Sequence, residues 1–335
     1  MNKKKLAIVI GRFQPLHYGH VSLIRKAFEV ADEVVVLVGS SFMAFAHRNP
    51  FTFEMRKQWI QESFVNANVI GIPDYPHSDD DWKNFIIEVI ETRYGYDDSD
   101  IAIVGHVKDD SSYYLQLFSQ WRFIEHHLHS NFHSTDIRDL VYDHKLPYIH
   151  NVVPSQVFAS LETYQTTDAC RLMKNERDYQ INYMKDYEHL EFPPIFVTGD
   201  AVAICGDHIL LITRGSDHGY GQLALPGGYL DKHETIRACI SRELVEETSI
   251  RVNYELKQVV CFDHPNRSVM ARSITHAGLT IVEENDGVLP IILGNDDALE
   301  AYWIKLSEID KLREKLFLDH YHIIKKLLQV KAGLL

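Results

Sequence analysis

A chain of 335 residues, 45% hydrophobic and 24% charged, is long enough for two ordinary domains, and neither half needs disorder to explain its composition. A formal net charge of −13 repels a phosphate backbone, and with no local basic stripe in view it excludes a nucleic-acid partner. Anionic small-molecule substrates would need local positive charge, helix N-termini or metal where they bind. The four cysteines, Cys170, Cys205, Cys239 and Cys261, form no C-x-x-C pair and read as small buried hydrophobes, not as a zinc knuckle or a disulfide framework. The apolar run behind Met1-Asn2-Lys3-Lys4-Lys5 covers only residues 6–10, too short for a signal peptide. Nothing approaches the ~18 apolar residues of a membrane span, so no membrane partner and a cytoplasmic location are expected.

In chain order, an aliphatic run at 6–10 ends at Gly11, and a second at 33–38 ends at Gly39, with a helical pattern at 20–31 between them. That is a β-α-β unit. Another aliphatic segment, 101–104, ends at Gly105 and is flanked by amphipathic stretches at 82–94 and 111–118. Alternating strands and helices predict a Rossmann-like parallel sheet covered on both faces, with ligands at the carboxyl ends of its strands. Residues 177–194 turn polar and aromatic, close on Pro193-Pro194 and read as a linker between domains at 1–185 and 193–335. Beyond it the pattern predicts a hairpin (195–205 and 208–213), a helix (233–247), two long strands (252–262 and 271–282) and a closing helix (319–330). This is an α/β/α sandwich around a mixed sheet.

The loop after the first strand reads Gly11-Arg12-Phe13-Gln14-Pro15-Leu16-His17-Tyr18-Gly19-His20. A glycine lets backbone approach a ligand, and two imidazoles three apart sit where a helix opens its free N–H groups toward an anion. Read blandly, this is a turn with two incidental histidines among 19. Gly11-x-Phe13-x-Pro15 followed by His17-Tyr18-Gly19-His20 resembles the nucleotidyltransferase superfamily, whose signature includes H-x-G-H. Ser134-Thr135-Asp136-Ile137-Arg138 resembles its I-S-x-T-x-I-R element, with Phe132-His133 departing from the first two positions. Arg48, in the segment 48–52, and Gly105 to Asp109 follow the second and third strands. Together these resemble the archaeal-type nicotinamide mononucleotide adenylyltransferases, over about the first half of the chain.

The resemblance implies that a mononucleotide phosphate attacks the α-phosphorus of ATP and pyrophosphate leaves. The protein's task would then be alignment and charge neutralisation. His17, His20 and Arg138 would serve the ATP phosphates, with Lys108 as a further candidate, and Arg48 the mononucleotide. Gly11, Arg12, Phe13, Gln14, Asp109, Ser134 and Thr135 would complete the binding loops, and Mg²⁺ would bridge the triphosphate. Trp82 could stack on a base or belong to the core.

Gly228, Glu234 and the run Arg242-Glu243-Leu244-Val245-Glu246-Glu247-Thr248-Ser249-Ile250 stand at the spacing G-x5-E-x7-R-E-U-x-E-E-x-G-U, with Ser249 where glycine is usual. At 100° per residue Glu243 and Glu247 share the side of Ile236 and Ile240, with Glu246 beside them. Three like charges so placed repel unless a hard cation compensates, and Mg²⁺, or Mn²⁺, meets that need. The pattern is identified as the Nudix box. Membership implies hydrolysis of a nucleoside diphosphate linked to another group, metal held by Glu243, Glu246, Glu247 and the Gly227 carbonyl, and Arg242 bracing Glu234 with no partner on the metal side. Pro265 stands where family members that cleave ADP-ribose carry proline, although a proline in a turn is common.

The pairing resembles a known bifunctional arrangement, an adenylyltransferase with an ADP-ribose pyrophosphatase, both acting on small nucleotides: ATP, nicotinamide mononucleotide, NAD and ADP-ribose. Two other readings compete. The second half could be an inactive Nudix sensor of ADP-ribose or NAD, with Ser249 as its only sequence support. The cluster His126, His127, His129 and His133 could hold a metal, although its spacing matches no usual three-histidine site.

Overall fold

Strand β1 (Lys4–Gly11) feeds two cores by alternation: Ala7 and Val9 face one, while Leu6, Ile8 and Ile10 face the other. A strand buried on both sides needs a covering layer on each. In the computed structural model, which describes residues 3–127, 133–284 and 287–333, those layers are helical. Helix α1 (Tyr18–Val30) returns the chain to β2 (Ala31–Val38), parallel to β1. There follow α2 (Phe53–Ser63), β3 (Asn68–Gly71), α3 (Asp79–Tyr94), β4 (Ile101–Gly105), β5 (Arg122–Glu125), α4 (Ser134–Tyr142) and α5 (Ser155–Gln165). Leu23 and Ile24 of α1 bury against one sheet face with Ile137 and Leu161, and Ile86 and Ile90 of α3 against the other.

The strands lie in the order β3-β2-β1-β4-β5, all parallel. Connections depart in opposite directions from β1, so the carboxyl ends of β1 and β4 flank the crevice where open α/β sheets take ligands. Of residues 111–118, expected to be amphipathic, 111–116 belong to a short 3-10 segment, Asp110–Gln116.

The second unit is a mixed sheet. Strands β6 (Phe196–Cys205) and β7 (His208–Arg214) form the expected hairpin, followed by β8 (Leu223–Ala224), β9 (Gly227–Tyr229), α7 (Ile236–Thr248), β10 (Tyr254–Phe262), β11 (Ser273–Val282), β12 (Ala298–Lys305) and α8 (His320–Lys331). The order is β10-β11-β6-β7-β12, with β8 on β7 and β9 on β6; β6 and β11 run parallel, and the other strand pairs described are antiparallel. Alternation again makes two cores. Ala201, Ala203 and Leu210 pack on α7 through Ile240 and Leu244, while Val202, Ile204 and Leu211 pack on α8 through Ile323 and Leu327. The result is an α/β/α sandwich.

Two expectations change. Cys170, Cys205 and Cys239 are buried, but Cys261 is exposed, because β10 is an edge strand and its alternate residues face outward. Residues 177–185, read as linker, belong to helix α6 (Asp168–Lys185), and the division into compact units falls inside that helix, between 174 and 175. Asn175 onward packs with the second unit. There buried Glu176 meets His218 Nδ1 at 2.9 Å, Gln180 donates to the Met270 carbonyl at 2.8 Å, and Tyr183 packs on Phe196. Among the described residues no helix is long and apolar enough to cross a membrane.

A C-terminal fragment starting at Asp168 is therefore expected to be more stable than one starting at Pro193, by at least about 2 kcal/mol, since the shorter one leaves buried His218 without Glu176. Urea melts of the two fragments measure this, and equal stability would show that α6 contributes nothing to the second unit.

Candidate functional site

At the end of β1 the chain must turn into α1 across the mouth of the sheet, and the local chemistry fixes how. Gly11 is needed because Phe13, at φ 52°, folds its ring back until a Cβ on Gly11 would lie 3.1 Å from it. The same ring packs edge-on against His20. His17 caps α1: its Nδ1 accepts a hydrogen bond from Gly19 N–H at 3.1 Å. With Nδ1 an acceptor, the neutral ring carries its proton on Nε2, a donor for an anion at the helix N-terminus. His17 and His20 stack with centroids 3.8 Å apart, and the His20 Nδ1 is buried without a hydrogen-bond partner. Burial, with His133 nearby, lowers His17 to about 4; burial and His17 lower His20 well below its ordinary value. Both rings are neutral at pH 7 and present donors without a buried charge.

Positive charge comes from guanidinium groups. Arg138, on α4, is buried and donates to the Gln14 carbonyl at 2.6 Å and to Thr135 Oγ1 at 3.2 Å. Burial lowers it to about 10, with Arg12 and Arg48 among the groups acting on it, so two further guanidiniums lie within electrostatic reach of Arg138, which stays charged. Ser134 sits at the start of α4, its hydroxyl 3.5 Å from the Pro15 carbonyl. The Gln14 amide is engaged both ways with Phe51, donating to its carbonyl and accepting from its N–H at 3.0 Å. These bonds position the loop and use one amide N–H and one lone pair of the Gln14 carbonyl oxygen.

Arg56, which the sequence did not single out, is almost fully buried and donates to the carbonyls of Arg12, Gly39, Ser40 and Thr52 at 2.7–3.2 Å, joining the loops after β1 and β2 to α2. His106, directly after β4, and Asn49, beside Arg48, each bury a polar atom without a partner. Lys108 and Asp109 are exposed, and their side chains face each other at 4.0 Å. Trp82 packs edge-on against Tyr114 and Phe118 and belongs to the core. His126 bonds Ser22 at 2.8 Å and His127 faces Glu125; His129 and Phe132 lie outside the described residues. Among the described residues no group of three His, Cys, Asp or Glu side chains is set to hold a metal, so the histidine cluster gains no support.

In the second unit, helix α7 places Glu243 and Glu247 on its buried side with Ile240, at 8% and 3% exposure, while Glu246 remains exposed. Both buried carboxylates press on the glycine pair of β9. The Gly227 N–H donates to Glu247 Oε2 at 2.8 Å, and a Cβ on Gly228 would lie 2.4 Å from Glu243 Oε1. Arg242 grips Glu234 with two nitrogens, at 2.6 and 3.1 Å, and donates to the Tyr229 carbonyl, so the brace between loop and helix is present; it holds the Glu234 carboxyl down to about 2. Arg242 also donates to Glu243 at 2.7 Å and to Glu246 at 2.9 Å. It thus has partners on the side expected to hold metal, because like charges so close draw in the nearest cation.

Asp200, on β6, was also missed. It is buried beside Gly227, accepts a short hydrogen bond from the Thr275 hydroxyl and stands 4.0 Å from His320 Nε2; His320 Nδ1 accepts from Leu225 N–H at 2.9 Å. A lone acid inside the apolar stretch 196–205 was the available signal. Pro265 lies exposed in the turn between β10 and β11.

Two family patterns cover these two sites: Cytidylyltransferase-like over residues 8–140 and NUDIX domain over residues 196–327. The bifunctional NMN adenylyltransferase/ADP ribose pyrophosphatase from Francisella tularensis superposes with a TM-score of 0.90 at 34% identity, over 97% of this chain and 99% of that one. The chain belongs to this bifunctional family. A second structure of the Francisella enzyme, complexed with AMP and a manganese ion, matches at 32% identity and a TM-score of 0.88 over the same shares. The nicotinamide/nicotinic acid mononucleotide adenylyltransferase of Acinetobacter baylyi is 30% identical over 186 residues, 52% of this chain and 95% of that one.

As a family member the second unit calls for a divalent cation; its three carboxylates are not gathered as a ligand set here, with Arg242 holding Glu243 and Glu246, but their chemistry fits one. They offer hard oxygen donors, and burial with Glu243 and Asp200 nearby pushes the Glu247 carboxyl up to about 8, despite the Gly227 N–H and Arg214. Ser249, the one departure in the box, is the C-cap of α7 at φ 52°, its N–H bonded to the Val245 carbonyl. That left-handed conformation explains why glycine is usual there. The departure acts on backbone strain and takes no carboxylate from the site, so it lends no weight to an inactive sensor.

Ser249→Gly is expected to raise stability by about 0.5–1 kcal/mol with diphosphate hydrolysis unchanged; a matched pair of denaturant melts and assays decides it. A second expectation concerns pH. An acid raised to about 8 in the fold is ionised there at a cost, so its contribution to stability is fully present below pH 4.5 and is lost as pH rises through 8. Without divalent cation, stability of the second unit should fall by a few kcal/mol between about pH 5 and pH 8.5, and millimolar Mg²⁺ should remove most of that fall. A pH series of melts with and without Mg²⁺ showing the same slope would contradict it.

Proposed function

We propose that the first unit transfers the adenylyl group of ATP to nicotinamide mononucleotide, giving NAD and pyrophosphate, and that the second hydrolyses ADP-ribose to AMP and ribose 5-phosphate. The observation that carries this reading is the presence, in one chain that aligns end to end with a bifunctional relative, of two different phosphate-handling sites. One is a capped helix N-terminus with guanidiniums, and the other a buried pair of carboxylates against a glycine pair.

In the first unit the reaction is a displacement at phosphorus, so the chain's part is alignment and neutralisation. His17 offers its Nε2–H, Arg138 a buried charge held against the Gln14 carbonyl, and Arg12 and Arg48 further charge. His20, Lys108, Asp109, Ser134 and Thr135 complete the set assigned to ATP and the mononucleotide, and Gly11 and Phe13 shape the loop. In the second unit Glu243, Glu246, Glu247 and the Gly227 carbonyl would hold Mg²⁺, which when bound neutralises the diphosphate and activates water. Arg242 sets the spacing of Glu243 and Glu246 and ties them through Glu234 to the Gly228–Glu234 loop. Pro265 is assigned to the ADP-ribose side. A cytoplasmic location, where ATP and pyridine nucleotides are abundant, belongs to the same proposal.

His17→Ala or His20→Ala should lower dinucleotide synthesis about 10²–10³-fold and leave ADP-ribose hydrolysis near wild type, while Glu247→Gln should do the reverse. The assay is NAD formation from ATP and the mononucleotide, run beside AMP release from ADP-ribose with Mg²⁺. Normal synthesis by both histidine variants would remove the first assignment, and absence of AMP from wild type would remove the second.

A further inference from the structure

Helix α7 ends at Thr248, and the last carbonyls of a helix have no partner within it. The Ser249 N–H takes the Val245 carbonyl, and two more are taken by a segment further along the chain. Asn295 N–H donates to the Glu247 carbonyl at 3.1 Å, and Leu293 N–H to the Thr248 carbonyl at 2.9 Å. Glu247 is thus held twice: its side chain accepts from Gly227 N–H at 2.8 Å, and its backbone from Asn295.

The segment that supplies these donors, residues 290–297, leads into β12 and is pinned along its length. The Trp303 indole donates to the Pro290 carbonyl at 2.9 Å, Ala298 N–H to the Asn295 carbonyl at 3.0 Å, and Gly215 N–H, just after β7, to the Asp297 carbonyl at 2.8 Å. Ile292 packs into the core that α7 covers, while Ile291 and Leu293 on either side of it are 86% and 64% exposed. Between the two donors stands Gly294. A Cβ there would lie 2.6 Å from the Glu300 Cα and 2.7 Å from the Glu300 nitrogen, backbone of β12 where its register shifts and where no rotamer can move aside. The close approach that lets Leu293 and Asn295 reach the helix end therefore needs a residue without a side chain at 294.

We propose that residues 290–297 form a backbone strap over the end of α7, and that Gly294 is a positioning residue of the hydrolytic centre, acting through Glu247 on its affinity for divalent cation. Glu247 lies in the last turn of α7, where a helix frays first, and it shares that helix with two further carboxylates that repel it until a cation is bound. The strap ties down the turn against both effects. Supporting contacts behind a metal ligand commonly change metal affinity by about 10–100-fold. The inference rests on the hydrolase reading above.

The test uses the full chain and follows AMP release from ADP-ribose against Mg²⁺ concentration, with NAD synthesis as a folding control. Gly294→Ala should raise the Mg²⁺ concentration for half-maximal hydrolysis by about tenfold or more. KM for ADP-ribose at saturating Mg²⁺ should change by less than about threefold, and NAD synthesis should stay put. Ile291→Ala, on the same strap but facing solvent, should leave the Mg²⁺ midpoint where it is. Leu327→Ala, buried on α8 in the other core of the unit, should lower the melting temperature without moving the midpoint. An unmoved midpoint in Gly294→Ala would overturn the proposal, and so would an equal shift in Leu327→Ala, which would make the effect one of general stability. A measurement on wild type needs no variant to fold: Mg²⁺ should slow amide hydrogen exchange at Leu293 and Asn295 by more than at the amides of α8. No such difference would reject the strap. If wild type released no AMP at all, the hydrolase reading would fail separately, and the exchange rates would still decide the inference.

Discussion

A chain that carries −13 overall and handles polyphosphates must concentrate attraction where the substrate lands, because its own field opposes the approach. The two units meet this constraint in opposite ways. The first keeps its histidines neutral through burial and places guanidiniums around a helix start, so that donors are fixed before an anion arrives. The second gathers more negative charge, burying Glu243 and Glu247 near Asp200, and makes the site attractive to phosphate only through a divalent cation. Preorganised dipoles serve the one and a metal ion the other.

In both units the precision of the site comes from side chains that touch no substrate in this reading. Arg56 draws carbonyls from the loops after β1 and β2 and from the N-cap of α2 onto one guanidinium, which holds the mouth of the parallel sheet in shape; burial lowers it only to about 10, so it remains a charged clamp. Gln14 does the same for the loop at Phe51, using donor and acceptor together. In the second unit His320 fixes Leu225 and faces Asp200, tying α8 to the strand that leads into Gly227.

Much of this was legible in the sequence, and what escaped has physical reasons. The aliphatic strands, the His17–His20 helix start and the carboxylate face of α7 follow from periodicity and spacing, which survive without knowledge of tertiary contacts. Strands β3 and β5 have four residues each, too few for alternation to register. Arg56 reads as one more polar residue on a surface helix, because nothing local announces that two loops will close over it. The part of helix α6 from residue 177 onward was taken for linker on composition, although its tyrosines at 179 and 183, with Tyr187 just beyond it, recur every four residues. The Ser249 departure drew attention as a chemical change, whereas the structure makes it a question of backbone handedness.

The glycine pair of β9 carries one more consequence. Neither Gly227 nor Gly228 has a positive φ, so their backbones are open to any residue; what they supply is empty volume, filled by the Asp200 and Glu243 carboxylates at 2.3 and 2.4 Å from where a methyl would sit. Glycine here is a mould rather than a hinge. An alanine at Gly228 would add no charge and break no hydrogen bond of its own, yet it would displace Glu243 from the position proposed to hold the cation. Among natural variants of such a site, the smallest and chemically quietest change would therefore pass for a loss of metal affinity, and its steric origin would go unnoticed.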